Sequence, residues 1–285
     1  MPRVALLVSA HGFGHLARQL AVAEALLERG ADCAIWTAGP AAVVHDYVPG
    51  LRVVPALLDV GLVQSDSITE DLPATARVLE ERTSEDFVER LAGRLRVEAP
   101  DVAVVDIAPA ALEACRRAGV PAVAVGNFDW PFIYRAFPEL ERFGERLLGW
   151  QSAHPALQLR PGPDLTGFRS VEEVGLLGRW RAPRRPPGAV GKRLVLVSFG
   201  GFGLRDLDRL LPVLPGVCWL LAPPMAALPR PDCVFVQGIS YPALVGAADA
   251  VLTKPGYGIH AEAALAGTPV AFVRRPGFPE AASLE

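Results

Sequence analysis

Short runs of consecutive apolar residues alternate along this chain with longer stretches in which apolar positions recur every three or four residues. The first short run is "RVALLVSA" at residues 3–10, and "LARQLAVAEALLERG" follows with helical spacing and a closing Gly30. Apolar residues at successive positions fit a parallel strand covered on both faces. The unit then repeats. "DCAIWTAGP" predicts a strand, "TARVLEERTSEDFVERLAGRLRVEAP" a helix, "DVAVVDIAP" a strand, "AALEACRRAGV" a helix and "PAVAVGNF" a strand.

The alternation pauses between about Pro161 and Gly191, where "PGPDLTGFRS" and "RAPRRPPGAVGK" are rich in Pro, Gly and Arg, and this stretch reads as a linker. It restarts with "RLVLVSFGGFG", "VCWLLAP" and "CVFVQG" as strands, "YPALVGAAD" as a helix, "AVLTKPG" as strand and loop, "GIHAEAALAG" as a helix and "PVAFVRR" as a strand. The expectation is an α/β protein of two Rossmann-like domains, residues 1–164 and 165–285, facing each other across a cleft that is the natural binding site.

Composition narrows the function classes. A chain of 285 residues that is 51% hydrophobic and 21% charged suits a globular protein with two cores. The net charge of -3 gives no electrostatic reason for a nucleic-acid partner. Cysteines 33, 115, 218 and 233 contain no CxxC pair and read as buried thiols in a cytoplasmic protein. No stretch approaches the ~20 apolar residues of a transmembrane span, which leaves only peripheral membrane contact open. Oligomeric state is not legible.

"VSAHGFGHLA", residues 8–17, carries the first candidate chemistry. A P-loop requires Lys and Ser or Thr after its last glycine, and His15 and Leu16 stand there. A dinucleotide fingerprint fits Gly12, Gly14 and Ala17, but its acid belongs at the end of the second strand, whereas Asp32 begins that strand. His11 and His15 lack a nearby third ligand, so no metal is expected. What remains is a glycine loop and helix N-terminus that present backbone N–H groups to an anion and aim a histidine at the cleft, or histidines that merely cap and pack.

In the second half, "AVLTKPGYGIHAEAALAG" sets Lys254 and the amides of Gly256, Tyr257 and Gly258 at a strand-to-helix turn, where a diphosphate would meet a helix N-terminus. Glu262 follows Gly258 by one turn on the same face, placed to accept both hydroxyls of a ribose.

The "HGFGH" loop with its long helix, then "SFGG", "TKPGYGIHAEAALAGTP" and "RRPGFPE" in this order, resemble the two-domain GT-B glycosyltransferases, in particular the MurG-like family 28 group. The resemblance covers nearly the whole chain. It implies a nucleotide-sugar donor, UDP-linked first of all, bound mainly by the second domain. A small-molecule or glycan acceptor is implied on the first, with no cofactor and no obligatory metal. In its terms Lys254 stands where many relatives have a phosphate-contacting histidine, and Glu262 where they have the ribose acid. Gly200 and Gly201 would let the diphosphate approach the backbone, Ile239 would meet the base, and Glu280 completes the donor set. Ile259 departs from the usual Ser or Thr. The chain also stops where such proteins generally continue with helices returning to the first domain, so the second domain reads as shortened.

Transfer with inversion needs a base for the acceptor proton and positive groups for the departing diphosphate. His15 is the first candidate base. Asp106, at the end of "DVAVVDIAP", is its rival or else a helix cap. His11, Gly12, Phe13 and Gly14 are expected to cradle the acceptor. The aromatic segment "GNFDWPFIYRAFPE" is expected to wall it, with Trp130 stacking and Asn127 and Asp129 binding hydroxyls. The expected function is a glycosyltransferase. Its alternatives are a non-catalytic nucleotide-sugar-binding protein or inactive fragment, and a sugar-nucleotide epimerase.

Overall fold

The computed structural model describes residues 1–285 apart from 10, 65–68, 190, 200–205, 224, 276 and 285. The apolar runs pair into two parallel sheets. The first contains β1 (Arg3–Val8), β2 (Asp32–Thr37), β3 (Arg52–Pro55), β4 (Val102–Asp106), β5 (Ala122–Gly126), β6 (Pro155–Leu159) and β7 (Ser170–Val174). Their spatial order is β3-β2-β1-β4-β5-β6-β7. The order reverses between β1 and β4, which opens a crevice at the carboxyl ends of these two strands. Helix α1 (Phe13–Glu28) lays Leu16, Leu20 and Ala23 on one face of the sheet against Val4, Leu6 and Val8. The other face is covered by α4 (Glu85–Glu98) and α5 (Pro109–Ala118) through Val88, Leu91, Leu95 and Ala111.

The second sheet has the order β10-β9-β8-β11-β12, built from β8 (Arg193–Ser198), β9 (Val217–Leu221), β10 (Cys233–Phe235), β11 (Ala250–Thr253) and β12 (Val270–Phe272). It too reverses beside its first strand. Helix α10 (Tyr257–Ala266) leaves the end of β11 as α1 leaves the end of β1, and the two crevices face each other. The α/β architecture of two Rossmann-like halves is therefore as the hydrophobic pattern indicates.

Several boundaries differ. The first sheet continues through β7, which pairs with β6 from Pro155↔Ser170 to Leu159↔Val174, so the division expected at residue 164 falls before the last strand of the first domain. Its sequence, Ser-Val-Glu-Glu-Val, is an exposed edge whose charges hide it from an apolar-run reading. The helix expected over 75–100 is two, α3 (Leu72–Arg82) and α4, because the Ser84 side chain accepts the backbone N–H of Phe87 at 3.2 Å and starts a new helix. Helix α2 (Ala41–Tyr47) and strand β3 are additional elements after "DCAIWTAGP".

The aromatic segment, expected to wall the acceptor, is largely helix and core. It forms α6 (Trp130–Arg135), capped by Asp129, whose carboxylate accepts the N–H of Phe132 at 2.8 Å. Phe128, Trp130 and Tyr134 are buried against α7 (Glu141–Gln151), packing with Phe143 and Leu147. Among the described residues no helix is long and apolar enough to cross a membrane.

Candidate functional site

The crevices merge into one cleft of about 870 Å³, lined from the first domain by residues 11–18 and from the second by residues 253–259, Glu262 and Glu280. At its centre the two helix N-termini meet. A Cβ on Gly258 would lie 2.9 Å from the Cα of Gly14, so the backbones touch only because Gly258 has no side chain. An added Cβ on Gly14 would meet only ordinary contact at 3.6 Å. Gly12 carries the conformational demand of the opening loop, with φ of 76° as it enters α1. Neither helix start has a capping side chain or an acid in its first turn, so their free N–H groups stay available to an anion.

Behind the first helix start lies a buried ionic cluster. The Nδ1 of His15 is 2.7 Å from an oxygen of Asp106, the last residue of β4. Arg18, one turn after His15 on α1, donates Nε and Nη2 to the two carboxylate oxygens, each at 2.6 Å, and Gln19 adds a bond of 3.0 Å. Burial by itself would push the Asp106 carboxyl up, but the charges of Arg18 and His15 outweigh it and hold the group far below the ordinary carboxylate range. The Nη2 of Arg18 also lies 2.8 Å from the same Nδ1 of His15, so this nitrogen stands between a donor and an acceptor; in the tautomer with the proton on Nδ1 the ring donates to Asp106 and keeps its Nε2 lone pair. Asp106 does not itself line the cleft. The two candidate bases are therefore one hydrogen-bonded pair in which only His15 lines the cleft.

His11 is half-buried on the cleft wall, edge-on to Trp130 at 5.1 Å between ring centres, and its Nδ1 accepts the N–H of Leu62. Burial, followed by the charges of His15, Arg275 and Lys254, pushes its imidazole well below the usual range, so it is a neutral packing and hydrogen-bonding group.

On the donor side Ile239, Lys254, Gly256, Tyr257, Gly258, Glu262 and Glu280 all line the cleft. Gly200 and Gly201 lie outside the described residues. Glu262 is buried, and burial pushes its carboxyl up to about 7 against the pull of Arg179 and Arg181. Its partner, Arg179, is 3.5 Å away and packs on the ring of Tyr47 at 3.9 Å; its Nε has no hydrogen-bond partner among the described residues.

Asn127 lines the cleft, but Asp129 and Trp130 do not. Asp129 is spent on the cap of α6, and the Trp130 indole donates to Asp59 at 3.0 Å inside the first domain. Their expected acceptor contacts are replaced by packing. Conversely, Arg18 and Arg179 were not among the residues expected at the site. Arg18 was findable, since it follows His15 by three on a helix. Arg179 sits in the basic stretch read as linker.

No protein-family model matches the chain. It is 31% identical to an Arabidopsis thaliana protein named L-arabinokinase over 96% of its own length, and it spans 28% of that relative's length. It is 30% identical to the UDP-N-acetylglucosamine--N-acetylmuramyl-(pentapeptide) pyrophosphoryl-undecaprenol N-acetylglucosamine transferase of Synechococcus sp. (strain CC9311), over 99% of this chain and 78% of the relative. In structure it resembles the glycotransferase of kitacinnamycin, with a TM-score of 0.66 at 20% identity, covering 99% of this chain and 84% of that one. The chain has the GT-B glycosyltransferase fold and belongs to the family of the Synechococcus N-acetylglucosamine transferase.

Proposed function

We propose that this chain transfers a sugar from a nucleoside-diphosphate donor, UDP-linked first of all, to a small-molecule or glycan acceptor, without a metal ion or other cofactor. The observation that carries this reading is the His15–Asp106 dyad, bonded at 2.7 Å, on a cleft whose opposite wall holds Lys254 and Glu262. The acceptor hydroxyl lies against the loop of His11, Gly12, Phe13 and Gly14. His15 takes its proton at Nε2 while Asp106 stabilises the resulting imidazolium, and the acceptor oxygen displaces the diphosphate from the anomeric carbon with inversion. Lys254 and the amides at the start of α10 receive the developing charge of the leaving group, the task that elsewhere calls for a metal. Glu262 holds the ribose, and the backbone at Ile239 meets the base. The "HGFGH" start and the named activity of the Synechococcus relative support the MurG-like family 28 assignment and a UDP donor.

The test is donor hydrolysis and transfer measured over UDP-, GDP- and dTDP-sugars with chelator present, alongside calorimetry of nucleotide binding. His15→Ala is expected to keep nucleotide affinity within about twofold and to lose ~10²–10⁴ in turnover, the range for a missing general base. Near-normal turnover in that variant removes the base role. A second reading, a non-catalytic nucleotide-sugar-binding module, draws on the 28% span of the relative named as a kinase. Nucleotide binding with no turnover of any donor would favour it.

A further inference from the structure

Arg18 does more than pair with Asp106. Its Nη1 donates to the Oδ1 of Asn127 at 2.7 Å, and the Nδ2 of Asn127 donates in turn to the Oε1 of Glu280 at 2.8 Å. Glu280 follows β12 of the second domain in sequence, on a segment that returns to the first, where Arg275 pairs with Glu70 and Phe278 packs among Leu62, Phe128 and Trp130; Arg18 and Asn127 belong to α1 and the end of β5 in the first domain. Asn127 is fully buried, Arg18 is 2% exposed and Glu280 6%. The chain Asp106–Arg18–Asn127–Glu280 thus runs through the protein interior from the dyad to the donor wall. Its polarity is fixed at every joint: the guanidinium can only donate, so the amide oxygen of Asn127 faces Arg18 and the amide nitrogen must face Glu280. The charges also match. Arg18 is one positive group between two carboxylates, and the imidazolium formed when His15 takes a proton supplies the second.

We propose that Arg18 and Asn127 are positioning residues that dock Glu280 against the dyad, so that acceptor activation and the donor wall are assembled together when the two domains close. This deepens the glycosyltransferase reading and rests on it. The Arg275–Glu70 pair and the packing of Phe278 hold the same segment, and among the described residues the Asn127 amide is what joins its carboxylate by hydrogen bonds to Arg18 and the dyad. Misplacement by a fraction of the donor-to-acceptor distance is enough to slow such a reaction.

The decisive variants reverse the polarity of the joint. Asn127→Asp still accepts from Arg18 but sets a carboxylate oxygen against Glu280, and the double variant Asn127→Asp/Glu280→Gln restores a donor facing an acceptor in the opposite sense. The single variant is expected to lose roughly 10- to 100-fold in kcat with a smaller change in the donor KM, the scale of a misplaced reacting group, and the double variant to recover to within about threefold of the wild type. Hydrogen–deuterium exchange of the start of α1 and of residues 277–284 should rise in the single variant and fall back in the double one. Should Asn127→Asp fail to fold, Glu280→Gln, which keeps an oxygen for Asn127, is expected to exceed Glu280→Ala in kcat at least tenfold. Equal kcat in that pair, or turnover and exchange in Asn127→Asp like those of the wild type, overturns the inference. So does a double variant no better than Asn127→Asp. A wild type that turns over no donor sinks the glycosyltransferase reading instead, and the exchange pattern still decides whether the joint couples the domains.

Discussion

The two helix starts that meet in the cleft are built alike and finished differently. Each follows a central strand, each begins at a glycine, and neither carries a capping side chain. Behind α1 every arm of the Arg18 guanidinium is engaged by Asp106 or Asn127, and Asp106 accepts from three side chains. Beside α10, Glu262 faces Arg179 at 3.5 Å, with the Nε of that arginine left without a partner among the described residues. The Oε1 of Gln19 is also without a partner among the described residues, so the difference lies in the arginines: one is held by short bonds at every arm, whereas the other leaves a donor that gains by taking up a polar ligand. On the glycosyltransferase reading proposed above, the first pole is set for proton transfer and the second is completed by the nucleotide.

The strongest way to break this contrast is Asp106→Asn. It leaves the charge of Arg18 buried without its partner, which costs roughly 3–5 kcal/mol, read as the free energy of unfolding in urea. Because the Asp106 carboxyl is depressed in the folded state, its contribution is present above about pH 4 and is lost as pH falls below the ordinary value of 3.8. The variant should lack that acid limb. An unchanged unfolding midpoint would show that the first pole owes nothing to this charge.

Glu262 predicts the opposite sign and a smaller effect. Its carboxyl is raised to about 7 in the folded state from an ordinary 4.5, so the ligand-free protein loses stability as pH rises between these values and none beyond. Nucleotide affinity should strengthen as pH rises through about 7, when the carboxylate that accepts ribose hydroxyls forms. Glu262→Gln should flatten both dependences and weaken UDP binding by about 1–3 kcal/mol. Calorimetry at acid and alkaline pH that finds equal UDP affinity in the unmodified protein removes the ribose role.

The smallest effect concerns the point where the poles touch. Gly14→Ala meets contact at 3.6 Å and should leave turnover within about twofold, whereas Gly258→Ala forces the helix starts apart at 2.9 Å and should lower it roughly 10-fold. Equal behaviour of the two would mean that the close approach is not needed.

What the sequence revealed of this site was its backbone chemistry. The glycines of "HGFGH" and "KPGYG", each between a strand run and a helical pattern, announce helix starts from local rules alone. The pairing of His15 with Asp106 was hidden because the two are brought together only by the parallel register Val8↔Asp106, a nonlocal fact. Trp130 and Asp129 misled for a related reason. Alternating aromatic and polar residues read as a surface loop, but Pro131 at the start of α6 and the cap supplied by Asp129 make that stretch helical, and its rings turn inward. Strand β7 escaped because an exposed edge strand needs no apolar residues.

The path between the domains is shorter than its sequence. The first sheet ends at Val174, and by Leu177 the chain is already fastened to the second domain, where its N–H meets the Tyr257 hydroxyl at 2.9 Å; Arg179 then adds its ion pair with Glu262. Fully extended, those intervening links reach only about 3.3–3.6 Å each. While both attachments hold, the halves are on a short leash and cannot drift apart. Arg179 also lies over the ring of Tyr47 and Arg181 pairs with Glu24, both in the first half, so the few residues that tether the two halves also pin one against the other.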